Sequence, residues 1–256
     1  MDRGEWLELV RESMVATWGL VAESTEGGRA IRREGVFAAV VPLTPERSVM
    51  NSVVYSDREA LLGSLDALAG AYDEAGVRAW TVWVPEEDAA TARALEEAGH
   101  ALDAQPRAMG MSLEQAERPD MGELDWARGC DLVTIGRVND AAYGYRDGSL
   151  ERVIGALPPE RVHAYGARVD GETAAVMMTI DAGDDTEIAW VATSEAARGR
   201  GLATALMAQS LWDARERGRR TATLQATSLG SPVYRRVGFH DLGALQMWER
   251  RKAGGE

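Results

Sequence analysis

Small and apolar residues recur along the C-terminal part of this chain with two different periods, and the change of period marks its elements. Ala203, Leu206, Met207, Ser210, Leu211 and Ala214 fall at steps of three and four, which predicts a helix with one continuous stripe. Thr204, Gln209 and Asp213 lie on its other faces, and Gly218 supplies a stop. Upstream, Glu187 to Thr193 carries Ile188, Trp190 and Val191, residues suited to a pleated surface. Downstream the period becomes two. Ala222, Leu224 and Ala226 share one side, while Thr221, Thr223, Gln225 and Thr227 share the other, so a strand is predicted. Strand, helix and strand make a βαβ unit, expected to be parallel and right-handed. Ser231 as cap and Pro232 at the first helical position then predict a short helix that carries Tyr234 and ends at Gly238. A last strand runs through Leu245, Met247 and Trp248.

The N-terminal part repeats some of this pattern. It reads as a helix from Glu5 to Glu23, strands in residues 36–41 and 50–55, and a helix from Arg58 to Ala75. Residues 74–84 line up with 216–226, and 94–100 with 233–239, as one fold unit used twice. Leu95 stands where the second unit has Tyr234. The alternative is a chance likeness of two common αβ units. A boundary near Glu117–Asp120 divides the chain into residues 1–118 and 119–256. A hairpin over 162–169 and 173–180, turning at Gly171, should open the second sheet.

The chemistry concentrates in the turn Arg198-Gly199-Arg200-Gly201-Leu202-Ala203. Glycines let the backbone bend sharply and bare its N–H groups, and the helix that follows adds the positive end of its dipole. Such a turn is an anion cradle suited to a pyrophosphate. No lysine stands near Gly201, so a Walker loop is excluded. The dinucleotide fingerprint fails as well. Its third small position is Thr204, and the stretch Arg217-Gly218-Arg219-Arg220 offers no carboxylate to a ribose. An ordinary turn with glycines for geometry would leave Arg198 and Arg200 unexplained.

Arg198, Gly201 and Ala203 match [RQ]xxGx[GA], and Tyr234, Gly238 and Phe239 match a later tyrosine followed by Gly-Phe. In these two motifs, ordered and spaced as here, the C-terminal half resembles the GCN5-related N-acetyltransferase superfamily (GNAT). The resemblance implies an α+β fold of two GNAT-like domains, each a mixed central sheet flanked by helices. The first would lack the cofactor motif, since nothing between Tyr55 and Ala60 resembles the cradle. It implies acetyl-CoA as acyl donor, with the pantetheine arm along Val191, Ala192 and Thr193, and the phosphates on Gly199, Arg200, Gly201, Leu202, Ala203 and Thr204 beside Arg198. Pantetheine is an amide chain and can be hydrogen-bonded as an added strand. Ser228 and Gly230 stand where many relatives carry Asn and Ala, and Ser228 is a further candidate contact.

By the same resemblance Tyr234 is the acid that protonates the CoA sulfur; a core tyrosine packed on the sheet is the alternative. Glu187 is the candidate base, directly or through water, against the reading of an exposed carboxylate at a strand end. Tyr143 and Tyr145 lie where the family shapes its acceptor pocket, though aromatic residues near a helix end are as often core. An alkylamine with a pKa near ~10.4 must lose a proton before it attacks a thioester, so a base is needed.

Composition narrows the setting. The net charge is -13 and the pI ≈ 4.8, which disfavours nucleic acid and suits a cationic acceptor. The eight arginines between Arg198 and Arg236 form a local basic patch fit for CoA phosphates, although Arg215 and Arg217 also complement a helix C-terminus. No signal-peptide pattern opens the chain, and the apolar run 36–43 is broken by Pro42, so a membrane partner is not expected. One cysteine, Cys130, excludes an internal disulfide and suits the cytoplasm. His100, His163 and His240 lack metal-ligand spacing, so no metal is expected. The sequence thus points to a cytoplasmic N-acetyltransferase. It would move an acetyl group from acetyl-CoA to a primary amine of a small molecule or peptide by direct attack, with homodimerisation left open. The alternative is a noncatalytic acyl-CoA-binding or regulatory module.

Overall fold

Asp2 and Glu5 start the first helix as a reciprocal capping box, each side chain bonded to the other's backbone N–H. The computed structural model of the protein describes residues 1–252. The N-terminal half runs α1 (Arg3–Ser24), β1 (Arg29–Arg33), β2 (Val36–Val40), β3 (Ser52–Tyr55), α2 (Arg58–Glu74), β4 (Ala79–Pro85), α3 (Ala89–Glu97), β5 (Ala101–Ala104) and β6 (Arg107–Ser112). The C-terminal half runs β7 (Trp126–Arg128), α4 (Leu132–Tyr143), α5 (Ser149–Gly155), β8 (His163–Val169), β9 (Glu172–Ala182), β10 (Asp185–Thr193), α6 (Leu202–Glu216), β11 (Thr221–Ala226), α7 (Ser231–Val237) and β12 (His240–Arg251). The architecture is α+β, a mixed sheet with helices on its faces.

The halves trade strands. The sheet order is β1-β2-β3-β4-β12-β6-β11-β10-β9-β8-β7, with β5 also pairing β12. β6, from before residue 118, lies between β12 and β11. β12 starts beside β6 and ends beside β4, with a register shift between Asp241 and Gly243 as it turns. In each half a parallel pair brackets a helix: β3 and β4 around α2, β10 and β11 around α6.

The period-two reading of 221–227 holds, with an addition. Ala222, Leu224 and Ala226 pack under Leu206, Met207 and Leu211 of α6. The opposite side, with Thr223 fully buried, is covered by α1. The buried stripe of α1 explains the cover: Trp6, Val10, Met14, Trp18 and Val21 repeat at helical spacing, with Ser13 and Thr17 inside the stripe. One sequence expectation shifts: α7 is capped by Gly230, and Ser231 and Pro232 are its first two residues. Gln209, placed on another face by the pattern, is 2% exposed because its amide donates to Asp213 at 2.7 Å.

Candidate functional site

β10 and β11 are paired only from Asp185 to Glu187, against Thr221 to Thr223, and then part. The cause lies in β10. Its pairing with β9 shifts between Ala189 and Ala192, and Trp190 within that bulge has φ +48, a left-handed value that a tryptophan adopts only when held. Asn139 of α4 holds it: its Nδ2 donates to the Trp190 carbonyl at 3.0 Å and to the Ile135 carbonyl at 2.9 Å. Trp18 meets the Trp190 ring edge-on at 6.3 Å. Past the bulge, Ser194 N–H donates to Ala174 O on β9. By the alternation of a strand, the backbone groups of Val191 and Thr193 therefore face the gap.

The gap is a slot of about 200 Å³ whose walls include Val191, Ala192, Thr193, Ala203, Thr227 and Tyr234. At its mouth Gly199 and Gly201 have φ +75 and +77, and a Cβ built on either would meet open space, so conformation rather than crowding demands glycine there. No side chain caps the N-terminus of α6; Gly201 is its cap residue, and Ala205 N–H is satisfied by Gly201 O. The amides of Leu202, Ala203 and Thr204 thus open the helix toward the slot with its positive dipole end. Arg198 and Arg200 are exposed beside them, Arg198 reaching back to Thr193 O at 3.4 Å. A diphosphate at the loop and an amide chain in the slot both fit this donor set.

The equivalent place in the N-terminal half is closed. Asp57 caps α2, its carboxylate accepting from Ala60 N–H at 2.7 Å, and Gly35 packs so tightly on it that a Cβ there would stand 2.7 Å from the Asp57 Cβ. A carboxylate already occupies the anion position.

Glu187 lies where the strands begin to part. It is 2% exposed, not the surface carboxylate that a strand end allows. Thr17 of α1 donates to its Oε2. Burial pushes its carboxyl up to about 7, opposed by the Thr17 hydroxyl and the Gln225 amide and reinforced by the charge of Asp185. Asp185, also raised by burial, accepts from Ser13 and Thr223, each at 2.6 Å. Glu187 borders a second cavity of about 430 Å³ between the two halves of the chain. Tyr143, Trp190, Gln225 and Thr227 line both this chamber and the slot, so the two meet there.

Tyr234 projects from α7 into the slot. Its ring meets Phe239 edge-on at 6.1 Å, and Gly230 lets it pack, since a Cβ there would be 3.0 Å from the ring. Its hydroxyl makes no protein hydrogen bond among the described residues, and burial first, then Tyr143, pushes the phenol above its ordinary range. Tyr143 and Tyr145 stack at 6.1 Å on the chamber wall. Ser228 is exposed and outside the slot wall, and Thr227 stands there instead. Thr17, Trp18, Asn139 and Gln225 are the site residues that sequence reasoning did not single out. The only local sign was Ser13 and Thr17 interrupting an apolar helix stripe.

A bulged, splayed strand pair with a glycine-rich helix start between its arms offers donors whose arrangement fits a pyrophosphate with a strand-like tail. Residues 160–241 match the family model described as an acetyltransferase (GNAT) domain. That family uses acetyl-CoA as donor. A comparison with curated proteins finds no match. Among solved structures, a GCN5-related N-acetyltransferase from Kribbella flavida aligns over 94% of this chain and 95% of its own, with 19% identity and a TM-score of 0.66. A functionally unknown conserved protein from Staphylococcus epidermidis aligns over 87% and 93%, with 14% identity and a TM-score of 0.63. A tandem GNAT protein from the clavulanic acid biosynthesis pathway aligns over 90% and 82%, with 15% identity and a TM-score of 0.60. These likenesses establish the fold. Among the described residues no helix is long and apolar enough to cross a membrane, and no cluster of side chains could hold a metal ion.

Proposed function

We propose that the protein is an acetyl-CoA-dependent N-acetyltransferase in which a primary amine, of a small molecule or peptide, attacks the thioester directly. One observation carries this reading: a buried carboxyl poised near 7 lines the chamber, a phenol with no hydrogen-bond partner among the described residues lines the slot, and the two cavities share Tyr143, Trp190, Gln225 and Thr227. Bound acetyl-CoA would supply an activated acetyl group. The amides of Gly199 to Thr204 would hold its phosphates, with Arg198 and Arg200 adding charge, and Val191 to Thr193 would pair its amide arm. Glu187 Oε1 or Oε2 would take the proton of the incoming ammonium, directly or through one water. Tyr234 Oη would give its proton to the departing sulfur. Tyr143 would close the junction against bulk water, with Tyr145 beside it on the chamber wall. The N-terminal half reads as a degenerate copy that lends the chamber its far wall and binds no cofactor of its own.

The test is thiol release from acetyl-CoA on addition of candidate amines, paired with calorimetry of CoA binding. One CoA should bind per chain, because Asp57 fills the second cradle. In Gly201→Val a β-branched residue is forced to positive φ, which costs roughly 1–3 kcal/mol, so CoA affinity should fall about ten- to a hundredfold. Tight CoA binding without amine-dependent thiol release would instead indicate a binding module.

A further inference from the structure

The chamber beside Glu187 has a second end, and its charges are unbalanced there. Trp18, Trp83, Tyr143, Tyr145 and Trp190 give it aromatic walls. Trp18 is 6% exposed, and its indole N–H, a donor only, has no partner among the described residues, so an acceptor such as a carbonyl oxygen, not a cation, would satisfy it. Away from Glu187 the lining carries Glu46, Arg47, Asp103, Glu249 and Arg251. Both arginines are committed. The Arg47 guanidinium lies 3.6 Å over the Tyr145 ring and pairs with Asp147 at 3.2 Å. Arg251 pairs with Glu249 at 2.7 Å and Glu46 at 3.1 Å, and Glu46 is also met by Arg78 at 2.8 Å. Asp103 is left over. It is exposed and, among the described residues, makes no ion pair or hydrogen bond; partial desolvation and then the charge of Glu249 push its carboxyl up against the charge of Arg251.

No cationic side chain of the lining remains for a carboxylate or phosphate on the acceptor, whereas Asp103, without a direct partner, has only the charge of Arg251, with which Glu46 and Glu249 already pair. Aromatic faces favour cations as well as apolar bodies. On the reading of this chamber as the acceptor pocket, we propose that the acceptor is an amphipathic dication: one amine beside Glu187, an apolar or aromatic body between the rings, and a second cationic group held by Asp103 next to Glu249. The far half of the chain thereby selects the substrate whose near end the C-terminal half acetylates.

The experiment compares p-xylylenediamine with p-methylbenzylamine, and α,ω-diaminoalkanes of four to ten carbons with the matching monoamines. Calorimetric binding to the CoA-loaded protein and turnover are both measured. At least one diamine should bind about tenfold more tightly than its monoamine, the scale of one charge-assisted contact. That margin should shrink as salt rises. In Asp103→Asn the ratio of the two affinities should fall to about one. Equal binding of diamines and monoamines by the native protein, or a ratio that survives in Asp103→Asn, overturns the proposal. Diamine binding that follows this pattern without any acetylation would leave the dication site standing and sink the transferase reading instead.

Discussion

Glu187→Gln is expected to lower kcat by about two to four orders of magnitude while making the protein more stable above neutral pH. Both effects come from one fact: the carboxyl is held in a place that does not suit its charge. Its pKa rises from 4.5 to about 7 on folding. Between those values the unfolded chain releases a proton that the folded protein keeps, so stability falls as pH rises across this window and the full loss is felt above about 7. The shift corresponds to roughly 3 kcal/mol. Glutamine keeps the shape and can still accept from Thr17, yet has no charge to desolvate. At pH 8 its melting temperature should therefore lie several degrees above that of the native protein, and at pH 4 the two should nearly coincide. The kcat profile of the native enzyme should rise through pH 7 as Glu187 ionises, and the variant should lack that limb. A variant with native turnover, or one less stable at pH 8, would contradict the assignment.

How far the sequence foretold this site depends on how locally each part is determined. The cradle was legible because glycines at 199 and 201 and a 3.6-residue stripe from Ala203 are properties of a few adjacent residues, and the uncapped α6 follows from them. Tyr234 was legible by its fixed offset from Gly238 and Phe239. The closed counterpart was half legible: the missing glycines were evident, but only the fold shows Asp57 taking the anion position and Gly35 sealing it.

The surroundings of Glu187 were not legible. Its partner Thr17 lies 170 residues away, and α1 reaches it only because the N-terminal helix spans both halves. The alternation of 221–227 revealed two faces but could not tell that a helix from the other end of the chain covers the threonine face. The exchange of β6 and β12 was hidden for a similar reason. Which strand pairs with which depends on long-range packing, and a strand read as the end of one unit can complete the sheet of another. The chamber exists because of that exchange: β12 brings Met247 and Glu249, and β5 brings Asp103, against the open end of β10.

Tyr234→Phe should reduce kcat by about two orders of magnitude or more and leave CoA affinity nearly unchanged. The substitution removes one oxygen that bonds to no protein group among the described residues, so the ring contacts with Phe239 and Gly230 survive and folding should not suffer. Burial keeps the phenol protonated throughout the neutral range, so no alkaline limb of the native profile should belong to it. The loss should depend on the leaving group. A thiol with an ordinary pKa near ~8.5 gains from a proton as the bond to carbon breaks, whereas an aryl thiolate departs readily without one. Acetyl aryl thioesters should therefore suffer a much smaller defect in Tyr234→Phe than acetyl-CoA does. A purely structural tyrosine would slow both donors alike, and the ratio of the two defects is the number that decides its role.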